Sequence, residues 1–259
     1  MGFLRKRLSI KFRLKPKPLL SILIVILLFY AKENYMDHLL TNVKISINER
    51  LYLKDPESSK LGKRIVKHGI LLIDNVGFEN FNFKKLGECL SSNESSVYRY
   101  FENKHKFLLY LTSWYWGWKV YQLVFATNNL TNTRQKLDRA IEIIAREVEE
   151  DSSFSHINEV KLNKIIINEY SKSYLTKDVD QENKEGYFLI YKRLANRLKE
   201  MIIDVDSTYP YPASLSSTIL EGSLHQHFLK NHFASITDCN AGNSPATYFK
   251  HLTQKLLNA

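Results

Sequence analysis

Residues 82–104 read NFKKLGECLSSNESSVYRYFENK, and this stretch predicts two short helices joined by a tight turn. Asn82 is a suitable cap for the first helix, because its side-chain oxygen can accept a hydrogen bond from an open backbone N–H. Three apolar residues of that helix fall on one face: Phe83, Leu86 and Leu90. The turn formers Ser91–Asn93 follow, and a second helix is expected to contain residues 95–101. Two short helices at this separation match the helix-turn-helix motif, whose second helix can enter the major groove of DNA.

The same stretch resembles the DNA-binding domain of TetR/AcrR-type transcriptional regulators. That family pattern ends in an aromatic-rich Tyr-x-x-Phe-x-x-Lys, and the matching residues here are Tyr98, Phe101 and Lys104. The likeness covers residues 58–107. Three residues depart from the pattern: Gly87 (usually Ala), Ser91 (usually Gly) and Ser92 (usually apolar). The resemblance implies an all-α fold, in which a three-helix helix-turn-helix domain precedes a helical regulatory and dimerisation bundle.

Composition and charge agree with a helical chain that contacts nucleic acid. Its 259 residues allow one or two domains with a sizeable core, and nine Gly and six Pro are few. The net charge of +10 is uneven: residues 1–35 carry an excess of seven positive charges and residues 54–106 an excess of three, whereas 36–53 and 107–259 are balanced. A basic excess on the helix-turn-helix unit is what contact with DNA phosphates requires.

The first 35 residues differ from the rest, since a basic start precedes the apolar run LLSILIVILLFYA at 19–31. A membrane-spanning helix needs roughly 17–25 apolar residues, so this run is short. Three interpretations are open: a secretory signal, a short membrane anchor, or sequence translated upstream of a true start at Met36. We favour the third. Residues 1–53 are then a leader and flexible arm, 54–106 the helix-turn-helix domain, and 107–259 the ligand-binding and dimerisation domain.

The candidate DNA contacts surround the second short helix. Its first turn carries short polar side chains that can meet base edges, while Arg99 can bind guanine or phosphate. Tyrosine hydroxyls and lysine ammonium groups can bind phosphate, as the resemblance also implies. The predicted DNA-binding residues are Asn82, Lys84, Asn93, Glu94, Ser95, Ser96, Tyr98, Arg99, Tyr100 and Lys104. The apolar residues behind them, expected to form a rigid platform, are Leu86, Val97 and Phe101.

A long aromatic helix follows, from about His105 to Thr127, with Asn103 at its cap position. Its aromatic residues predict either a core seam or the wall of a ligand pocket. The pocket candidates are Tyr110, Trp114, Trp118, Tyr121 and Phe125. The resemblance implies that this helix links the DNA-binding part to a part that binds a small apolar or aromatic effector.

Two C-terminal helices, about 213–231 and 246–257, carry an apolar face. The resemblance implies a homodimer held by a four-helix bundle, and two recognition helices must lie about one DNA turn apart to read a palindrome. The predicted dimer-face residues are Leu215, Ile219, Leu224, Phe228, Leu252 and Leu256.

Motifs for catalysis or cofactor binding are missing from the sequence. It has no Gly-rich nucleotide loop, paired-carboxylate site or nucleophile motif, so we expect no enzyme, no catalytic residue and no cofactor. Cys89 and Cys239 have no metal-ligand or disulfide spacing and are expected to be buried free thiols. His225 and His227 point to different helix faces, so we expect no metal site.

The resulting prediction is a cytoplasmic, homodimeric repressor that binds double-stranded operator DNA and is released by an effector. The alternative is a membrane-tethered signalling or scaffold protein anchored through residues 19–31.

Overall fold

The protein is described by a computed structural model that covers residues 45–150, 154–240 and 242–258. Every regular element in these ranges is a helix, which confirms the predicted all-α fold. The residues from Ile45 onward form one compact unit. The leader, with the apolar run 19–31, lies outside the described residues. Among the helices of the described ranges, none combines the length and apolar character that a membrane crossing demands.

Ten α-helices occur in the described ranges. In chain order they are α1 (Lys60–Asn80), α2 (Phe83–Cys89), α3 (Glu94–Tyr98), α4 (Lys104–Thr127), α5 (Thr133–Ala145), α6 (Glu159–Tyr174), α7 (Val179–Lys184), α8 (Leu189–Val205), α9 (Pro212–His232) and α10 (Pro245–Leu256). Short 3-10 turns lie at Glu49–Leu51, Pro56–Ser58 and Ala234–Ile236. Helix α1 is interrupted near its end by Gly77, whose φ of 75° is a left-handed conformation suited to glycine.

Asparagine caps begin half of these helices. Asn82, Asn93, Asn103, Asn132 and Asn158 each accept a hydrogen bond from a backbone N–H two or three residues into the helix. Such a cap satisfies one of the open N–H groups of the first turn and contributes about 1 kcal/mol. The first residues of these helices can therefore be recognised from the local sequence.

Helix α4 lies at the centre of the bundle. It is apolar on all sides, with buried residues from Phe107 to Thr127, and a helix of that kind must be surrounded by protein. It packs against α5, α6 and α8. Trp114 and Trp118 stack with ring centroids 6.4 Å apart and are almost fully buried, so α4 forms the core seam.

Helix α9 buries part of the predicted dimer face within its own chain, which corrects that part of the prediction. It packs against α5, α6, α8 and α10. Leu215, Ile219 and Leu224 are buried by these contacts and cannot meet a second copy. Phe228 and Leu252 are half-buried, and Leu256 alone of the six is exposed.

The N-terminal helices are joined to the bundle through α1 and α6. Asp74 on α1 pairs with Lys161 and with Lys164, the latter at 3.0 Å. Burial raises the pKa of the Asp74 carboxyl, but the hydrogen bonds and charges of the two lysines outweigh it, so the pKa falls below its ordinary value. A further contact runs from the Phe78 N–H to the Glu169 carboxylate at 3.3 Å.

Candidate nucleic-acid interface

Helices α2 and α3 form the predicted helix-turn-helix. Helix α2 ends at Cys89, and Asn93 caps α3 after the short turn that includes Ser91. Helix α3 is shorter than predicted, because it ends at Tyr98. The N–H groups of Tyr100 and Phe101 then both donate to the Val97 carbonyl, at 2.8 and 3.1 Å, and tighten the chain into a turn before α4.

Two departures from the family pattern have a clear physical reading here. Ser91 adopts a φ of 53°, a left-handed conformation that disfavours side chains other than glycine. Gly87 faces the start of α3, since a Cβ on it would lie 2.9 Å from the backbone of Asn93 and of Glu94. The turn therefore carries strain at Ser91, where the pattern has Gly, and a closer helix contact at Gly87, where the pattern has Ala.

The platform behind α3 consists of fully buried side chains. Leu86, Val97 and Phe101 have no exposed side-chain surface, as predicted. Phe101 packs edge-on against Phe107 of α4, with centroids 4.9 Å apart, and against Tyr110 at 5.2 Å. Aromatic pairs in this geometry stabilise beyond their buried area, so α3 is fixed to the long central helix.

The outer face of α3 is polar and exposed. Glu94, Ser95 and Arg99 are exposed, Lys84 is exposed on α2, and Tyr98 is 47% exposed while its ring packs edge-on against the core. These five predicted residues are thus open to solvent on the two short helices.

The start of α3 is braced by its own side chains. The Asn93 side-chain oxygen accepts from the Ser95 hydroxyl at 2.6 Å, and from the Ser96 N–H and hydroxyl at 3.3 and 3.2 Å. The Ser92 and Ser96 hydroxyls are also bonded, at 2.8 Å. The Lys85 N–H likewise donates to the Asn82 side-chain oxygen at 2.9 Å. Both asparagines thus act first as caps within the fold.

Tyr100 and Lys104 differ from the expectation that they face DNA. Tyr100 is only 3% exposed, and its hydroxyl is 2.7 Å from the Ser59 hydroxyl, which caps α1. The Lys104 ammonium donates to the carbonyls of Phe78 and Glu79, both at 3.2 Å, and lies 4.9 Å from the Phe78 ring centroid. These contacts hold α1 against the motif.

Arg64 is a positioning residue that sequence reasoning missed. Its guanidinium donates to the Leu90 carbonyl at 3.1 Å, at the end of α2. The two residues are 26 positions apart, so no local pattern signals the contact. Lys60, Lys63 and Lys67 are exposed on the same helix and add positive charge beside the motif.

The five predicted pocket residues do not enclose one cavity. Tyr110, Trp114 and Trp118 fill the core, whereas Phe125 is 56% exposed and stacks on Tyr121 with centroids 6.5 Å apart. A cavity of about 390 Å³ lies instead between α6 and α9.

Two buried basic side chains lie at the end of α5. The Lys119 ammonium of α4 donates to the Ile143 carbonyl at 2.8 Å, and His227 Nε2 of α9 donates to the Ala145 carbonyl at 2.9 Å. Burial lowers the pKa of Lys119 to about 7, with a smaller effect from the charge of Arg146, and burial also lowers the pKa of His227. His227 thus has a structural contact. Of the two thiols, Cys239 is buried as expected but Cys89 is exposed.

Comparison with known proteins places the fold among helical proteins of varied roles. No family model matches the chain, and no curated protein sequence matches it. The fatty acid degradation regulator FadR from Bacillus halodurans superposes with a TM-score of 0.52 at 14% identity, over 76% of this chain and 95% of that one. The superantigen PfiT superposes with a TM-score of 0.53 at 14% identity, over 80% and 100%. AibR in complex with isovaleryl coenzyme A and operator DNA gives 0.49 at 13%, over 74% and 95%. At these identities the likeness to FadR and to PfiT shows a shared fold and no more.

Proposed function

We propose that this protein is a DNA-binding transcriptional regulator of the TetR/AcrR type, with residues 54–106 as its DNA-binding domain. The observation that carries the proposal is the exposed polar face of α3, which is capped, braced and fixed to α4 by a fully buried platform. A rigid short helix with polar residues outward and cations beside it meets the physical requirements for entering a DNA groove. A shared fold with FadR, a regulator of fatty acid degradation, supports this proposal rather than an enzymatic role.

The side chains divide into contact and positioning roles. Arg99, Glu94 and Ser95 are the candidates for base edges, and Arg99 is equally suited to phosphate. Lys84 and Tyr98 are the candidates for phosphate. In this proposal Tyr100 and Lys104 act indirectly, because their polar groups already bind the protein. A DNA-bound regulator would work in the cytoplasm.

The protein is proposed to act as a homodimer, since half-sites of operators are commonly read in pairs. The exposed apolar side chains near the last two helices offer a different face from the one predicted. Phe233 is 53% exposed, Ile236 is 67% exposed and Tyr248 is 45% exposed. We expect the sedimentation coefficient of the wild-type protein to be that of a dimer, and the double variant Phe233→Ser, Ile236→Ser to shift it toward the monomer. A monomeric wild type would refute this part of the proposal.

Repression and release would be coupled through α6. Lys161 and Lys164 of α6 bind Asp74 of α1. Tyr170 lies nine residues after Lys161, which places it on the side of the helix opposite Lys161, and it lines the cavity. An effector in that cavity would displace α6 and, through it, the helix that supports the DNA-binding motif. A ligand acts in this way only if it binds the two arrangements with different affinity.

The test of the proposal is salt-dependent DNA binding. Duplexes selected from a random pool by the purified protein are labelled, and their affinity is measured by fluorescence anisotropy over a range of salt concentrations. We expect Lys84→Ala and Arg99→Ala each to weaken binding and to reduce the slope of log K against log salt by about one. Arg99→Ala should also change which bases are preferred if it reads guanine.

The matched control replaces two exposed lysines outside the motif, Lys177→Ala and Lys255→Ala. These should leave both the affinity and the slope unchanged. The proposal fails if no duplex is enriched, or if the control variants lower the slope as much as the α2 and α3 variants do.

A further inference from the structure

The cavity between α6 and α9 has a wall of mixed chemistry. Its volume of about 390 Å³ suits a ligand of roughly ten to fifteen non-hydrogen atoms. The apolar part of the wall includes Ile167, Leu224 and Phe228, and Tyr170 and Glu221 stand beside it. Among the described residues that line it there is no lysine or arginine, and the basic side chain in the wall is that of His225.

The Glu221 carboxylate has tyrosine partners that do not neutralise it. The Tyr191 hydroxyl donates to Glu221 Oε1 at 2.7 Å, and Tyr170 is also hydrogen-bonded to the same carboxylate. Burial raises the pKa of both phenols far above neutral pH, and Glu221 raises them further, so each tyrosine stays an uncharged donor. Among the described residues, no lysine or arginine forms an ion pair with Glu221. Glu221 is exposed, so it gives the cavity one carboxylate that also faces solvent.

Tyr170 lines the cavity on the α6 side, and its ring belongs to a packed aromatic cluster. Tyr170 packs against Tyr174 with ring centroids 4.9 Å apart, and Tyr174 packs against Tyr191 at 5.3 Å. Phe228 supplies a further ring on the α9 side of the cavity. The faces of such rings attract cations, most strongly when part of the cation is removed from water. A hard metal ion would be poorly served, because it needs six or more oxygen ligands and the wall offers a single carboxylate.

We propose that the cavity between α6 and α9 binds a small organic cation with an apolar body, its charged nitrogen beside Glu221 and its body against Ile167, Leu224 and Phe228. The choice of this ligand as the effector rests on the function proposed above, whereas the binding itself does not. An anionic ligand of the same size would meet the repulsion of Glu221, and His225 is the basic side chain among the lining residues that could offset it.

The test uses three probes that share one benzene ring and differ in charge: benzyltrimethylammonium, benzyl alcohol and phenylacetate. Binding to the full chain is measured by calorimetry in the absence of DNA. We expect benzyltrimethylammonium to bind with a Kd of about 1 mM, as befits a ligand of its size, and the other two to bind at least about fivefold more weakly. Equal binding of the neutral or anionic probe would overturn the proposal.

A charge-removing variant locates the site. Glu221→Gln keeps a hydrogen-bond acceptor for Tyr191 but removes the charge, and it should weaken benzyltrimethylammonium binding about fivefold. Glu200→Gln changes an exposed glutamate of α8 that does not line the cavity, and it should leave the Kd unchanged. Equal losses in both variants would mean that only net charge matters and would overturn the assignment. If the protein binds the cation but no DNA, the proposed function is refuted and this site is supported. If it binds DNA but not the cation, this site is refuted and the proposed function is supported.

Discussion

Replacing Lys119 with Met should change how the stability of this protein depends on pH. The Lys119 side chain is buried at the centre of the bundle, with its ammonium 5.3 Å from the Trp118 ring centroid and a hydrogen bond to the Ile143 carbonyl. Burial removes water from the charged form, and a single neutral carbonyl does not replace that hydration. The pKa consequently falls from 10.5 to about 7.

The direction of this pH dependence follows from the number of protons that the folded and unfolded states bind. Between pH 7 and 10.5 the unfolded chain keeps the Lys119 proton while the folded chain has largely released it, so the unfolded state binds more protons and stability rises with pH. Each pKa unit corresponds to about 1.4 kcal/mol. From pH 7 to pH 9 this group alone should therefore raise the free energy of unfolding by about 2 kcal/mol. His227 does not add to the pH dependence of stability in this range, because its lowered pKa keeps it neutral in the folded state.

The assay is urea unfolding of the wild type and of Lys119→Met at pH 7, 8 and 9, followed by tryptophan fluorescence. The difference in unfolding free energy between the two proteins should move by about 2 kcal/mol in favour of the wild type across that range. Lys177→Met, at an exposed position, is the control and should show no such drift. A constant difference between wild type and Lys119→Met would show that the buried amine keeps its proton, and the reasoning from burial would be wrong.

Three further outcomes are expected. Ser91→Gly should raise the free energy of unfolding by about 0.5 kcal/mol in urea titrations, because it relieves the φ of 53°, and a loss of stability would contradict that reading. Gly87→Ala should lower it by about 2 kcal/mol and weaken DNA binding, because the new Cβ collides with the start of α3, whereas the Cβ of Gly242→Ala would make only an ordinary contact with the Asn240 side chain at 3.7 Å and serves as the control. Asp74→Asn should cost about 1 kcal/mol and lose that effect at high salt, since it breaks the pairs with Lys161 and Lys164; equal costs at low and high salt would rule out the ion pairs as its cause.

Local patterns in the sequence predicted the fold class and the helix-turn-helix. Asn82 and Asn93 are recognisable as caps because capping uses only neighbours three residues away. The platform of Leu86, Val97 and Phe101 follows from helical spacing, since a short helix with one apolar face must bury it.

Contacts between residues that are far apart in the sequence could not be predicted from these local patterns. Tyr100 has a hydroxyl that suits either a phosphate or a protein partner, and its partner Ser59 lies 41 residues away. Periodicity marks Leu215 and Ile219 as apolar positions, but it does not say whether another helix of the chain or a second copy covers them. The sequence assigns Phe228 to a dimer face, whereas the structure has it line the cavity. Which surface remains open depends on the packing of all the helices together.

Under the proposed function, the contacts between α6 and α1 would couple ligand binding to DNA affinity. A tenfold change in DNA affinity corresponds to about 1.4 kcal/mol. Two partly exposed ion pairs from Asp74 to α6, together with the hydrogen bond from the Phe78 N–H to Glu169, supply about 0.5 kcal/mol each. A ligand that displaced α6 far enough to break these three contacts would therefore shift operator occupancy about tenfold without unfolding any helix. Much stronger contacts between α6 and α1 would not be broken by a small ligand, and much weaker contacts would not couple a movement of α6 to α1.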